Sequence, residues 1–260
     1  MIAGRNISVS YGSKSILEAV DITIEPGRVV ALCGPNGAGK STVLAALAGD
    51  ATLRTGQVAY GSDFVDELTP KMLSRARAVL EQTPSLTARF TVAELIRLSI
   101  PVEFPPAETD VLVGALLTEL GLLEFQTRLV ENLSGGQKHR AHLARVLAQL
   151  RANRRLFGPN TLFLDEPTAS LDILHQIEVM KVAKAEARHG SGVLVVLHDL
   201  NLAAAFADRM MLMQDGRVVR SGTVGDVLQS KTLSAVYNTP IMVEKSDGAP
   251  LHIRPDFGRV

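Results

Sequence analysis

Hydrophobic and polar positions alternate first with the period of a half-buried strand. Ile7, Val9 and Tyr11 share one face ahead of a Gly12-Ser13 turn. The same period returns over residues 21–24 and stops at the turn dipeptide Pro26-Gly27. Val29–Cys33 is apolar throughout, which predicts a strand buried on both faces, and it runs directly into a glycine-rich loop. A helix is predicted over residues 42–48, closed by Gly49, then a strand over 56–60, a short helix over 71–77 and a short strand over 78–80 ending at Glu81-Gln82.

From about Thr91 to Gln149 the texture becomes helical. Thr91 and Glu94 have the spacing of a capping box ahead of an apolar helix. Residues 101–110 read as a proline-rich loop between helices, and 111–120 and 136–150 carry helical spacing. Residues 151–160 read as a polar loop containing Arg151, Arg154 and Arg155, whose charges suggest a solvated face. Beyond it, strands over 162–164, 193–197 and 210–213 alternate with helices over 173–189 and 202–206. Gln214-Asp215-Gly216-Arg217 reads as a hairpin turn into a strand over 218–220. Strands alternating with helices imply an α/β chain with a largely parallel sheet covered on both faces. The middle block reads as an all-helical insertion. There is no internal repeat and no low-complexity tract.

Composition narrows the classes. Of the 260 residues 46% are hydrophobic, ordinary for a globular chain and unlike a disordered one. Lys+Arg and Asp+Glu both number 27, so net charge offers no hold on nucleic acid. The single cysteine, Cys33, excludes an internal disulfide and reads as a small buried residue. No apolar run approaches the roughly 18 residues that span a bilayer, and the N-terminus lacks the layout of a leader peptide. A cytosolic chain is expected, held at a membrane only through a partner. His139 and His142 lie three apart on a predicted helix with no third ligand in sight, and read as helix-surface residues.

Two elements carry chemistry. Gly34-Pro35-Asn36-Gly37-Ala38-Gly39-Lys40-Ser41 matches GxxxxGK[ST] between a strand and a helix. Its glycines let the backbone wrap around phosphate oxygens, the helix start adds positive charge, Lys40 would reach the β- and γ-phosphates, and Ser41 would ligate Mg²⁺. The apolar segment 162–164 ends in Asp165 and Glu166. Asp165 can hold Mg²⁺, and Glu166 can orient and deprotonate an attacking water.

A second glycine-rich element, Leu133-Ser134-Gly135-Gly136-Gln137, opens a predicted helix before Asp165. With it, nearly the whole chain resembles the ATP-binding cassette ATPases of ABC transporters. That resemblance implies a P-loop NTPase fold of RecA-like type: a mixed, mostly parallel sheet core with an antiparallel β edge and an inserted helical subdomain. It also implies roles. ATP would be bound by Tyr11 (against adenine), residues 34–42 including Thr42, Gln82, and Ser134, Gly135, Gly136 and Gln137 of the signature. Mg²⁺ would be held by Ser41, Gln82 and Asp165. Hydrolysis would rest on Glu166, His198 (the switch histidine) and Lys40, with Ser170-Leu171-Asp172 as the D-loop.

The implied organisation is an ATPase domain over residues 1–230, with core segments 1–85 and 157–230, a helical subdomain over 86–150, and a C-terminal tail over 231–260 packed on the core. The implied assembly is a head-to-tail homodimer with two ATP between P-loop and signature, two transmembrane permease subunits, and a periplasmic or surface substrate-binding protein reached through the permease. It would sit peripherally on the cytoplasmic face of the bacterial cell membrane, without nucleic acid. Segments such as RAHLARVLAQL, DEPTASLDILHQIEVM and the tail VYNTPIMVEKSDGAPLHIRPDF are similar to importer ATPases for iron-siderophores, haem and vitamin B12. RVLAQL with a lengthened loop after it is most similar to haemin importers, with ferric siderophore the close alternative and a soluble regulatory or repair ATPase the other class. The segment from Gln82 to Phe90, including Leu86, Thr87 and Arg89, would couple nucleotide state to the permease.

Overall fold

The computed structural model describes residues 1–83, 88–169, 171–245, 248 and 250–258. Two sheets organise it. The smaller is antiparallel, in the order β2-β1-β4-β5, formed by β1 (Ile2–Tyr11), β2 (Lys14–Ile24), β4 (Thr55–Tyr60) and β5 (Asp63–Phe64). The larger has the order β10-β9-β3-β8-β7-β6. Its members β3 (Val29–Cys33), β6 (Arg77–Leu80), β7 (Thr161–Leu164), β8 (Gly192–Val196) and β9 (Arg209–Gln214) are parallel neighbours. β10 (Arg217–Gly222) pairs antiparallel at one edge, through a turn in which Asp215 and Gly216 both have positive φ, as a two-residue hairpin with right-handed twist requires.

The unbroken apolar runs follow from burial on both faces. Val29, Ala31 and Cys33 enter one core with the helices, while Val30 and Leu32 enter a second core beneath the small sheet. Cys33 lies fully buried, and burial pushes its thiol up to about 12. The helices are α1 (Lys40–Ala48), α2 (Pro70–Ala76), α3 (Val92–Leu98), α4 (Pro106–Glu119), α5 (Gly135–Phe157), α6 (Ile173–Arg188), α7 (Leu200–Phe206), α8 (Val224–Val227) and α9 (Ser230–Tyr237). Those described between β6 and β7, α3 to α5, share the first core. A final hairpin, β11 (Ile241–Glu244) with β12 (His252–Pro255), follows α9.

Four sequence readings change. The proline-rich segment is loop only to Pro105, because Pro106 stands in the first turn of α4, where a missing N–H costs nothing. Residues 151–157 are not loop but the last turns of α5, which ends at Gly158 with positive φ. Arg151 and Arg154 are not a solvated face: both bond the buried Glu186 of α6, and Arg151 also forks onto Glu119 of α4. Only Arg155 is exposed, beside Glu108. His142 is not on the helix surface either. It is 6% exposed, because α5 is covered on every side over residues 141–144. Burial, then Arg145 and His139, lowers its imidazole to about 4. The capping box of Thr91 and Glu94 forms.

Candidate functional site

The parallel register delivers the chemistry. β3, β8, β7 and β6 are consecutive in the sheet, and the chain leaves their C-terminal ends at Gly34, Leu197, Asp165 and Glu81. Four segments far apart in sequence therefore meet along one edge, the position where open α/β sheets bind ligands.

The P-loop is braced from behind. Gly34 has φ 147°, and a Cβ there would stand 2.2 Å from the Met213 carbonyl oxygen of β9. Gly39 caps α1 in the left-handed region, with β2 so close that a Cβ would stand 2.7 Å from a Leu17 methyl. Lys40 is buried, its ammonium donating to the carbonyls of Gly34 (2.9 Å) and Pro35 (3.1 Å). Burial lowers its pKa, against Glu166, Cys33 and Asp165, which favour the charge. Pro35, Asn36 and Gly37 form the outer rim, while Ala38 is buried against the core and Thr42 follows in α1.

Ser41 Oγ donates to Asp165 Oδ1 at 3.0 Å. Burial raises the Asp165 pKa, opposed by this bond and by Lys40. Next to it Glu166 has φ 48°, a left-handed conformation costly for a side-chain-bearing residue. That backbone turns its carboxylate into a grip from two other elements. His198 Nε2 lies 2.5 Å from Glu166 Oε1, and Gln82 Nε2 donates to Oε2 at 2.7 Å. The structure thus joins Glu166, His198 and Gln82 in one cluster, and Lys40, Ser41 and Asp165 in another that meets it at the Asp165-Glu166 peptide.

Ser134 caps α5. Its hydroxyl accepts from the Gln137 N–H, and Gln137 Oε1 accepts from the Ser134 N–H. At Gly135 and Gly136 an added Cβ would meet nothing within 4 Å, so packing inside this chain gives no reason for glycine there. Tyr11 is 61% exposed at the end of β1. In the D-loop, Ser170 lies outside the described residues. Asp172 caps α6 and accepts from His175 Nδ1 at 2.7 Å, while His175 Nε2 stands 2.5 Å from Arg140 of α5. Leu86 and Thr87 also lie outside the described residues, and Arg89 pairs with Glu131.

One contributor escaped the sequence reading. Asp199 caps α7, accepting from the N–H groups of Asn201 (2.7 Å) and Leu202 (3.1 Å), and so fixes the turn that presents His198. An aspartate directly before an apolar helix was the available signal.

Among the described residues no group of three His, Cys, Asp or Glu could hold a metal, and no helix is long and apolar enough to cross a membrane. The paired oxygens of Ser41 and Asp165 nonetheless suit a hard cation that takes its remaining ligands from phosphates and water.

Such a phosphate loop, strand-end acid pair and second glycine-rich helix start define a nucleotide-hydrolysing cassette. The ABC transporter family profile matches residues 17–169, and the chain belongs to the ABC transporter ATPases. It is 39% identical to the "Hemin import ATP-binding protein HmuV" of Bradyrhizobium diazoefficiens, over 96% of this chain and 93% of that one. It is likewise 39% identical to the protein so named from Jannaschia sp., over 100% and 96%. A solved dimer of the ATP-binding cassette MJ0796 in a post-hydrolysis state with ADP and Pi superposes with a TM-score of 0.74 at 26% identity, covering 86% of this chain and 99% of that one.

Proposed function

We propose that this chain is the ATP-hydrolysing subunit of a bacterial haemin importer. It works as a homodimer beneath two permease subunits, on the cytoplasmic face of the cell membrane, with a binding protein delivering haemin from outside. The observation that carries the chemistry is the Glu166 carboxylate, held on one oxygen by His198 and on the other by Gln82. The names of the curated relatives support the cargo.

The backbone N–H groups of residues 34–42, other than Pro35, and Lys40 bind the β- and γ-phosphates. Ser41, Asp165 and Gln82 would hold Mg²⁺, which when bound offsets charge on those phosphates. Glu166 accepts a proton from water as the water oxygen bonds to the γ-phosphorus and the bond to the ADP oxygen breaks. His198 keeps that carboxylate aimed. Tyr11 offers its ring to adenine.

The open Gly135 and Gly136 support a facing half-site in which Ser134 and Gln137 meet the partner's nucleotide. Ile173 and Leu174, 76% and 63% exposed beside Asp172, supply further apolar surface for such a partner.

The test is Glu166→Gln. ATP should still bind while turnover is nearly abolished, and the protein should become dimeric with Mg²⁺-ATP by light scattering. Hydrolysis at the unaltered rate would remove Glu166 from its role. Reconstitution with the permease in liposomes, supplied with haemin or a ferric siderophore, tests the cargo: uptake of the siderophore alone overturns haemin.

A further inference from the structure

The C-terminal hairpin grips the helix that presents His198, and it does so through a side chain outside every motif of the site. Asn201, in the first turn of α7, donates from Nδ2 to the Ile253 carbonyl (3.1 Å) and accepts at Oδ1 from the Ile253 N–H (2.8 Å). One amide thus completes the edge of β12 that β11 leaves open, as a neighbouring strand would. Ile253 buries its side chain in the core shared by the helices, so the grip rests on a fixed point.

The hairpin is itself braced. Val243 N–H donates to Ser230 Oγ and Ile241 N–H to Ser234 Oγ, tying β11 to α9. α9 ends on Tyr237, whose buried hydroxyl lies beside Cys33 and the Gly34 backbone. The hairpin and α9 therefore reach both the start of the P-loop and the first turn of α7.

Inward from Asn201 the path is short. Its backbone N–H is held by the Asp199 cap, and the residue before that cap is His198, 2.5 Å from Glu166. A helix of seven residues has little stiffness of its own, so where its first turn sits is decided by what holds it.

We propose that Asn201 is a positioning residue for hydrolysis: its two hydrogen bonds to β12 set the reach of His198 to Glu166, which makes the C-terminal hairpin a working part of the ATPase site. The proposal rests on the reading of Glu166 and His198 given above.

The experiment uses the purified full chain. Asn201→Ala should lower kcat for ATP by about tenfold, the scale of a small misplacement at a reacting centre. KM and the affinity for a fluorescent ATP analogue should stay unchanged, because the P-loop is untouched. The decisive measurement is the cycle with His198→Ala. If Asn201 acts through His198, the double variant is no slower than His198→Ala alone. Asn201→Asp, which keeps the acceptor for the Ile253 N–H and loses the donor, should fall between wild type and Asn201→Ala, and it serves the same cycle if the alanine variant does not fold. An unchanged kcat, or losses that multiply, overturns the proposal. Normal hydrolysis by Glu166→Gln would instead overturn the reading beneath it, so the two failures are distinguishable.

Discussion

Glu186 is 0% exposed and sits between two guanidinium groups. Arg151 Nε donates to Oε1 at 2.8 Å and Arg154 to Oε2 at 2.7 Å. Arg154 also reaches Ser191 Oγ, which donates to Asn160, whose amide donates to the Leu150 carbonyl. Burial works against the Arg151 charge, but the carboxylates of Glu119 and Glu186 outweigh it and push its pKa up. Glu186→Ala would remove the one carboxylate shared by both arginines. Breaking a buried pair from one side costs about 3–5 kcal/mol. For 260 residues the unfolding entropy is roughly 0.5 kcal/mol/K, so Tm should fall by about 5–9 °C. Glu186→Gln, which retains one acceptor oxygen, should lose about half as much. Thermal unfolding followed by circular dichroism at matched scan rates measures this. The fall should persist at high salt, since buried pairs are weakly screened, whereas removing the exposed Arg155–Glu108 pair should change little at any salt. A fall below about 2 °C in Glu186→Ala would refute the reasoning, because the two arginines would then be content without their shared partner.

Two further outcomes concern packing at single positions. His142 has its folded pKa lowered to about 4 by burial, from an ordinary value near 6.5, so the unfolded chain takes up a proton first as pH falls. Stability should therefore decline between about pH 6.5 and 4, and His142→Gln should flatten that window in urea titrations. Gly34→Ala should weaken binding of a fluorescent ATP analogue more than tenfold, because its Cβ meets the Met213 carbonyl, while Gly37→Ala, with open space, should be milder and cost only the strain of a side chain at positive φ.

The sheet and its site were legible because several signals coincided. A strand buried on both faces leaves a continuous apolar run, and Val29–Cys33 is followed by glycines whose backbone demands are local. Asp165 and Glu166 likewise announce themselves at a strand end. What stayed hidden depends on partners distant in sequence. The end of α5 shows no apolar period, since Arg151 and Arg154 face carboxylates of α4 and α6. His142 gives no sign of burial, because nothing local shows that helices and strands cover α5 on all sides. Pro105-Pro106 reads as a breaker, although proline in a first turn starts a helix as readily as it stops one. Asn201 is invisible in the same sense: its partner is the backbone of Ile253, 52 residues further along the chain.

The continuity of α5 from Gly135 to Phe157 has a mechanical consequence. Covered over residues 141–144 and clamped again at Arg151 and Arg154, it is a stiff rod with Ser134 at its exposed end. The distance along the helix from Arg151 to that end is about 26 Å at 1.5 Å per residue. A tilt of about one degree moves the tip by roughly 0.4 Å, which consumes most of the ~0.5 Å range over which a hydrogen bond retains its strength. In the proposed facing half-site, how sharply Ser134 would discriminate a well-placed phosphate from a misplaced one would therefore depend on how stiffly α5 is packed along its length.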